Sequence, residues 1–157
     1  THDPEEAMAI CDKVAVMNNG HIHQIDKPSK LINNPKTLFV SKFILGNNIL
    51  DITYSEGNLI SVLGTIRADN IPINSEVKYL SIPPKSISIK KSKDGNATIT
   101  SKEFLGEYYI YKVAIGGTFI RVKCDLNNNF EIGEKCILEL SKKKEYFVFP
   151  GGFKNII

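Results

Sequence analysis

Tyr109-Ile110-Tyr111-Lys112-Val113-Ala114-Ile115 and Thr118-Phe119-Ile120-Arg121-Val122-Lys123 flank Gly116-Gly117. Two runs rich in β-branched and aromatic residues, separated by two glycines that tolerate positive φ, predict a β-hairpin with a tight turn. The same texture extends to both sides. From Ile49 onward the chain shows short runs of Ile, Val, Tyr, Thr and Phe. They are punctuated by Ser55-Glu56-Gly57-Asn58, Pro83-Pro84, Asp94-Gly95-Asn96 and Asn127-Asn128-Asn129. Strands at regular spacing with turn residues between them predict a small all-β barrel or sandwich.

Before Gly46 the pattern differs. Asp3 is placed to cap a helix, Pro4 has the fixed φ suited to the first helical position, and Glu6, three residues after the cap, is expected to complete a capping box. A short helix is predicted over residues 5 to 11. Lys13 to Met17 and His21 to Ile25 alternate as strands around Asn19-Gly20, a two-residue hairpin signal. Pro28 starts a second short helix and Pro35 ends it. Leu38, Phe39, Phe43 and Ile44 give one more helix an apolar face, with Gly46 as its cap. The expected organisation is a small α/β portion over residues 1–46 and a mainly β domain over 47–157.

Composition narrows the class. The 157 residues are 42% hydrophobic and 24% charged with net charge +3, which suits one or two globular units. No apolar run approaches the roughly 18 residues of a membrane span, and no leader pattern precedes the start. Cys11, Cys124 and Cys136 are an odd number without C-x-x-C spacing, so we expect reduced, mostly buried thiols rather than disulfides or a zinc site.

Several residue groups carry candidate chemistry. His2 lies just ahead of a predicted helix start, where an imidazole can face a phosphate near free N–H groups. Asp3, Glu5 and Glu6 form a carboxylate cluster, for which capping and dipole compensation are a sufficient account. His21 and His23, two apart on a strand, would share a face, but no third ligand at suitable spacing completes a metal site. Lys90, Lys91, Lys93, Lys142, Lys143 and Lys144, with Tyr108, Tyr109 and Tyr111, are the ingredients of a nucleic-acid-binding groove. The lysines sit by turn signals, where solvated charge is the default. Gly116-Gly117 and Gly151-Gly152 precede no helix and read as turns rather than phosphate loops.

The ordered motifs of the first third resemble ABC transporter ATPases. Thr1-His2-Asp3-Pro4-Glu5-Glu6-Ala7 is similar to their switch-histidine loop. Val14 to Ile22 resembles "I-A-V-M-x-x-G-x-I", Gln24 to Pro28 "Q-x-G-x-P", and Asn34 to Ile44 "x-P-x-x-x-F-V-A-x-F-I-G". The later part resembles the accessory TOBE domain of ABC import ATPases. Ser81 to Ile89 is similar to its "x-R-P-E-x-I-x-L" strand, Glu103 to Tyr109 to its "E-x-L-G" strand turn, and Phe147-Val148-Phe149 to its closing strand. Pro83 and Lys85 stand where that family usually has Arg and Glu.

This resemblance implies an OB-like β-barrel beneath an ATPase core, a homodimer, partner membrane subunits, and a cytoplasmic place on the inner membrane face. It implies that His2 contacts the ATP γ-phosphate in a longer parent that binds ATP and Mg²⁺. No G-x-x-x-x-G-K-[ST] loop is present, so no cofactor and no ATPase activity are expected of these residues alone. Polyamine, ferric iron, sugar and oxyanion import are the transport classes implied, and a stand-alone nucleic-acid-binding module is the alternative.

Overall fold

The computed structural model describes residues 1–68, 77–141 and 146–150. The chain starts with helix α1 (Pro4–Ile10), where Asp3 Oδ1 accepts the amides of Glu5 (2.9 Å) and Glu6 (3.1 Å). The capping box is indirect. Glu6 accepts the Thr1 hydroxyl at 3.0 Å, and that hydroxyl accepts the Asp3 amide at 3.0 Å, so Thr1 stands between the two expected partners.

Strands β1 (Val14–Asn18) and β2 (His21–Asp26) pair antiparallel. Their turn has φ 49° at Asn19 and 76° at Gly20, the pair of positive values that matches strand twist. The register skips His23, since Val16 faces Gln24 and Met17 faces Ile22. This one-residue bulge interrupts the period of two, so His21 and His23 do not form the regular same-face pair the sequence predicts.

Helix α2 (Pro28–Asn33) buries Leu31, which joins Val16 and Val40 in a small core. Buried Gln24 braces it. Its amide donates to the Asn34 carbonyl (3.1 Å) and to Asp26 (3.2 Å), and its oxygen accepts the Lys36 amide (2.9 Å). The helix expected over Leu38 to Ile44 ends as a π-helical turn, Val40–Ile44, closed by the Leu45 amide on the Val40 carbonyl at 3.1 Å. Of the predicted apolar face, Leu38 is buried and Phe39 and Ile44 pack against the small core, whereas Phe43 is half exposed and Val40 and Ser41 are buried instead.

The remainder is β. Strands β3 (Asn48–Asp51), β4 (Thr53–Ser55), β5 (Asn58–Ser61), β6 (Gly64–Arg67) and β7 (Val77–Ile82) precede a 3-10 turn at Pro84–Ser86. Strands β8 (Ile87–Lys91), β9 (Ala97–Phe104), β10 (Tyr108–Ile115), β11 (Thr118–Asp125), β12 (Lys135–Leu140) and β13 (Phe147–Pro150) follow. A five-stranded sheet runs β11-β10-β9-β12-β8, with three-stranded sheets β13-β7-β3 and β4-β5-β6 beside it. All pairings are antiparallel. The hairpin of β10 and β11 turns at Gly116 (φ 54°) and Gly117 (φ 79°), as its sequence predicts.

Ser81 to Ile89, expected as one strand, is two strands in different sheets. Pro83 and Pro84 lack the N–H a ladder needs, and the 3-10 turn between β7 and β8 redirects the chain. The five-stranded sheet bends where Ser101 faces Lys112 but Ile99 faces Val113, leaving Thr100 as the extra residue. The bend lets β11 pack against β8 and the 3-10 turn, curling the sheet into a mainly β, OB-like body. Ile99, Tyr111, Val113, Ile120, Val122 and Cys136 fill it. The Tyr111 hydroxyl is fully used inside, donating to the Asn128 carbonyl (3.2 Å) and accepting the Phe130 amide (3.1 Å).

Gly95 shows how closely the turn before β9 approaches β12. A Cβ built there would run into the Cys136 carbonyl group, which is backbone and has no rotamer to yield. Gly95→Ala should therefore destabilise the fold by about 1–3 kcal/mol, the usual cost of forced overpacking. Urea unfolding measures this, and an unchanged midpoint would show that the turn stands off β12.

Candidate functional site

The linker after Gly46 joins the N-terminal unit to the β domain through buried polar side chains. Ser41, Asn47 and Ser81 are all buried. The Ser41 and Ser81 hydroxyls lie 2.5 Å apart, and the Asn47 amide donates to both at 3.2 Å. The next residue, Asn48, behaves like a strand. Its side-chain oxygen accepts the Arg121 amide and its side-chain nitrogen donates to the Arg121 carbonyl, both at 2.8 Å. The free edge of β11 is thus closed by a side chain.

Beside this clamp lies a groove of about 1000 Å³ between the two units. One wall is β10 and β11, presenting Tyr108, Ile110, Arg121 and Lys123, and another is Pro83, Pro84 and Lys85. Phe43, Ile44 and Gly46 close the junction side, and Asp3, Pro4 and Glu5 of the α1 end form the far side. Ile110 points to the outer side of the sheet, opposite to core residues Tyr111 and Val113, yet is only 9% exposed because the junction covers it. The Lys123 ammonium sits 3.9 Å from the centre of the Tyr108 ring. Gly46 has φ 65°, and the Arg121 guanidinium would be 3.7 Å from a Cβ at that position.

His2 is exposed just ahead of α1. Asp3 and Glu5 reach the groove, whereas Glu6 is spent on Thr1. His23 is occupied structurally, bonded to the Thr37 hydroxyl at 3.2 Å and packed on Phe39 at 4.7 Å between ring centres. Among the described residues no group of three His, Cys, Asp or Glu is disposed to hold a metal.

The predicted basic and aromatic groove is not assembled in one place. Lys90 and Lys91 end strand β8 just before the turn at Lys93 and Asp94, and face Glu139 (3.8 Å) and Glu134 (3.4 Å). In the sheet, β9 and β12 separate that strand from the tyrosines of β10. Tyr111 is completely buried, and Tyr109 packs between Phe104 and Tyr111 with Lys102 over its ring. The Glu131 amide and then Lys91 hold the Glu134 carboxyl below its ordinary range. Lys142, Lys143, Lys144 and Gly151-Gly152 lie outside the described residues.

The sequence reading missed Ser41, Asn47, Asn48, Ser81 and Arg121. Two adjacent asparagines directly after a helix-ending glycine were the available signal, and Phe119, Arg121 and Lys123 at intervals of two on one strand face were another.

The OB-like body is consistent with what comparison with known proteins finds. The chain is 39% identical over 113 residues to the spermidine/putrescine import ATP-binding protein PotA of Borreliella afzelii, across 69% of this chain and 33% of that protein. The protein of the same name from Mesoplasma florum is 37% identical over 115 residues, again 69% and 33% of the two chains. That from Bacillus thuringiensis is 47% identical over 75 residues, 48% of this chain and 21% of the relative. The chain is a homologue of these import ATP-binding proteins. The matched part spans about a third of the length of the first two, consistent with a C-terminal portion of an ABC importer ATP-binding subunit. No family model matches the chain. No helix among the described residues is long and apolar enough to cross a membrane.

Asn48→Ala would leave the Arg121 amide and carbonyl without their partner at a part-buried edge, so stability should fall by about 1–3 kcal/mol. Thermal or urea unfolding reads this directly; a variant as stable as the parent would mean that water replaces the carboxamide freely. The thiols offer a second check. Cys11 is exposed, whereas Cys124 and Cys136 are buried, and burial followed by the nearby Asp125 pushes the Cys124 thiol up to about 11. Burial, with Glu134 adding to it, also raises Cys136. Because the thiolate is the reactive form, alkylation at pH 8 should label Cys11 alone in the folded chain and all three after denaturation. Rapid native labelling of Cys124 near neutral pH would contradict the burial.

Proposed function

We propose that this chain is the C-terminal regulatory and dimerisation part of the ATP-hydrolysing subunit of an ABC importer that takes up polyamines. Residues 1–46 are the end of the nucleotide-binding domain, and 47–157 the accessory β domain. The single observation that carries the reading is the second face of the β1–β2 hairpin. One face is covered by the small core around Val16 and Leu31. On the other, Ala15 faces Ile25 and Met17 faces Ile22, and Met17, Ile22 and Ile25 are 54–58% exposed. A two-stranded ribbon apolar on both faces requires cover on both, because a lone hairpin is marginal in water. Ile10, 75% exposed at the end of α1, adds to the same demand. A larger ATPase core supplies that cover.

The catalytic role assigned to this chain is confined to His2. Asp3 already saturates the leading amides of α1, so the helix start offers no phosphate cradle of its own. What the chain brings to ATP and Mg²⁺ held by the parent is one imidazole, fixed by a capped helix that follows directly. Its N–H stabilises charge on the γ-phosphate as the attacking water is positioned, the electrostatic part of phosphoryl transfer. A second copy of the chain, membrane subunits that carry the solute, and a place at the cytoplasmic membrane face complete this reading. The names of the relatives support the polyamine class.

In the complete ATPase, His2→Ala should leave ATP affinity nearly unchanged while turnover falls roughly a hundredfold to a thousandfold, the usual cost of one preorganised donor to a transition-state anion. Turnover of the reconstituted transporter, with nucleotide affinity measured alongside, decides it. Near-normal turnover would remove His2 from the chemistry.

A further inference from the structure

The groove beside the Asn47–Asn48 clamp has a polarity that the ATPase reading does not use. Arg121 and Lys123 are two residues apart on one face of β11, so their cations sit on the same wall, roughly 7 Å apart along the strand. Both residues are exposed, and neither forms an ion pair among the described residues. Two like charges on a partly covered wall repel each other, and an anion placed between them relieves that repulsion. Asp125, the nearest carboxylate on the strand, is engaged elsewhere, accepting the amides of Asn127 and Asn128 and the Asn128 side chain.

Apolar side chains line the same groove. The Tyr108 ring is held under the Lys123 ammonium, Ile110 is buried, and Phe43 and Pro84 contribute further apolar lining. Asp3 and Glu5 line it as well, and their carboxylates oppose a second negative group. The volume, about 1000 Å³, is at the upper end of small-molecule sites, which are mostly apolar with a few placed polar groups.

We propose that this junction groove is a binding site for a small aromatic anion, its charged group held by Arg121 and Lys123 and its ring laid against Tyr108, Phe43 and Pro84. The guanidinium supplies a planar donor fork suited to a carboxylate, sulfonate or phosphate, and Lys123 a point charge. Because the occupant would touch both the end of α1 and strand β11, it would bridge the two units across the linker.

The full chain, titrated with naphthalenesulfonate and followed by amide chemical shifts, tests the site. Saturable shifts centred on Gly46, Tyr108, Ile110 and Arg121 are expected. Arg121→Glu combined with Lys123→Glu should raise the dissociation constant at least about tenfold, as loss of a charge-assisted bidentate contact does. The milder pair Arg121→Gln and Lys123→Gln, whose fold is checked by its spectrum, should shift it in the same direction. Lys135→Glu, an exposed change on β12 outside the groove, should not. Naphthalenemethanol, which lacks the charge, and naphthalenedisulfonate, which adds one toward Asp3 and Glu5, should both bind more weakly. The proposal is overturned by shifts confined to Met17, Ile22 and Ile25, by equal affinity for the neutral alcohol, or by wild-type affinity in the charge-reversed pair.

Discussion

The side chains of Asn47 and Asn48 are the constraint on which the arrangement depends. Asn47 ties the π-helical turn to strand β7 through Ser41 and Ser81, while Asn48 locks the start of β3 onto the edge of β11. One dipeptide therefore connects the π-helical turn and the β3–β7 ladder to β11, which belongs to another sheet. Buried amides and hydroxyls of this kind are costly when left unpaired, so a displacement that breaks the set strands several groups together. A purely apolar joint would allow the two units to slide, since hydrophobic contact has no direction. The polar one fixes a register.

That register explains features that look unrelated locally. Ile110 is on the outer face of a sheet and still buried, because the clamp holds the Phe43–Gly46 segment near it. The π turn serves both sides of the joint, since Val40 belongs to the small N-terminal core and its neighbour Ser41 to the bond with Ser81. The groove is then what remains between two bodies held at a fixed spacing.

Much of the fold was legible in the sequence. Turn residues with a physical need for positive φ marked the hairpins correctly at Asn19-Gly20, Glu56-Gly57 and Gly116-Gly117. The change of texture at Gly46 marked where helices give way to strands. What was not legible came from tertiary competition. The bulge at His23 and the extra residue at Thr100 depend on which strand lies opposite, and the split of Ser81–Ile89 depends on two sheets claiming its halves. Of the candidate site residues, His2 is proposed from motif order alone, and its meaning comes from the residues behind it. The place of Arg121 in the clamp was not legible, because its partner is a neighbour 73 positions away in the chain.

The same reasoning separates two kinds of exposed apolar surface in this molecule. On the β1–β2 hairpin, Met17, Ile22 and Ile25 are exposed together on one continuous face with no polar group among the cross-strand pairs, which is the pattern of an interface inside a larger domain. Phe119, 55% exposed, instead carries the Lys112 ammonium 4.3 Å above its ring and has Arg121 two residues on. Rings paired with cations remain compatible with water, since the charged head stays solvated while the stem covers the ring. The first surface demands a permanent cover, and the second tolerates exchange.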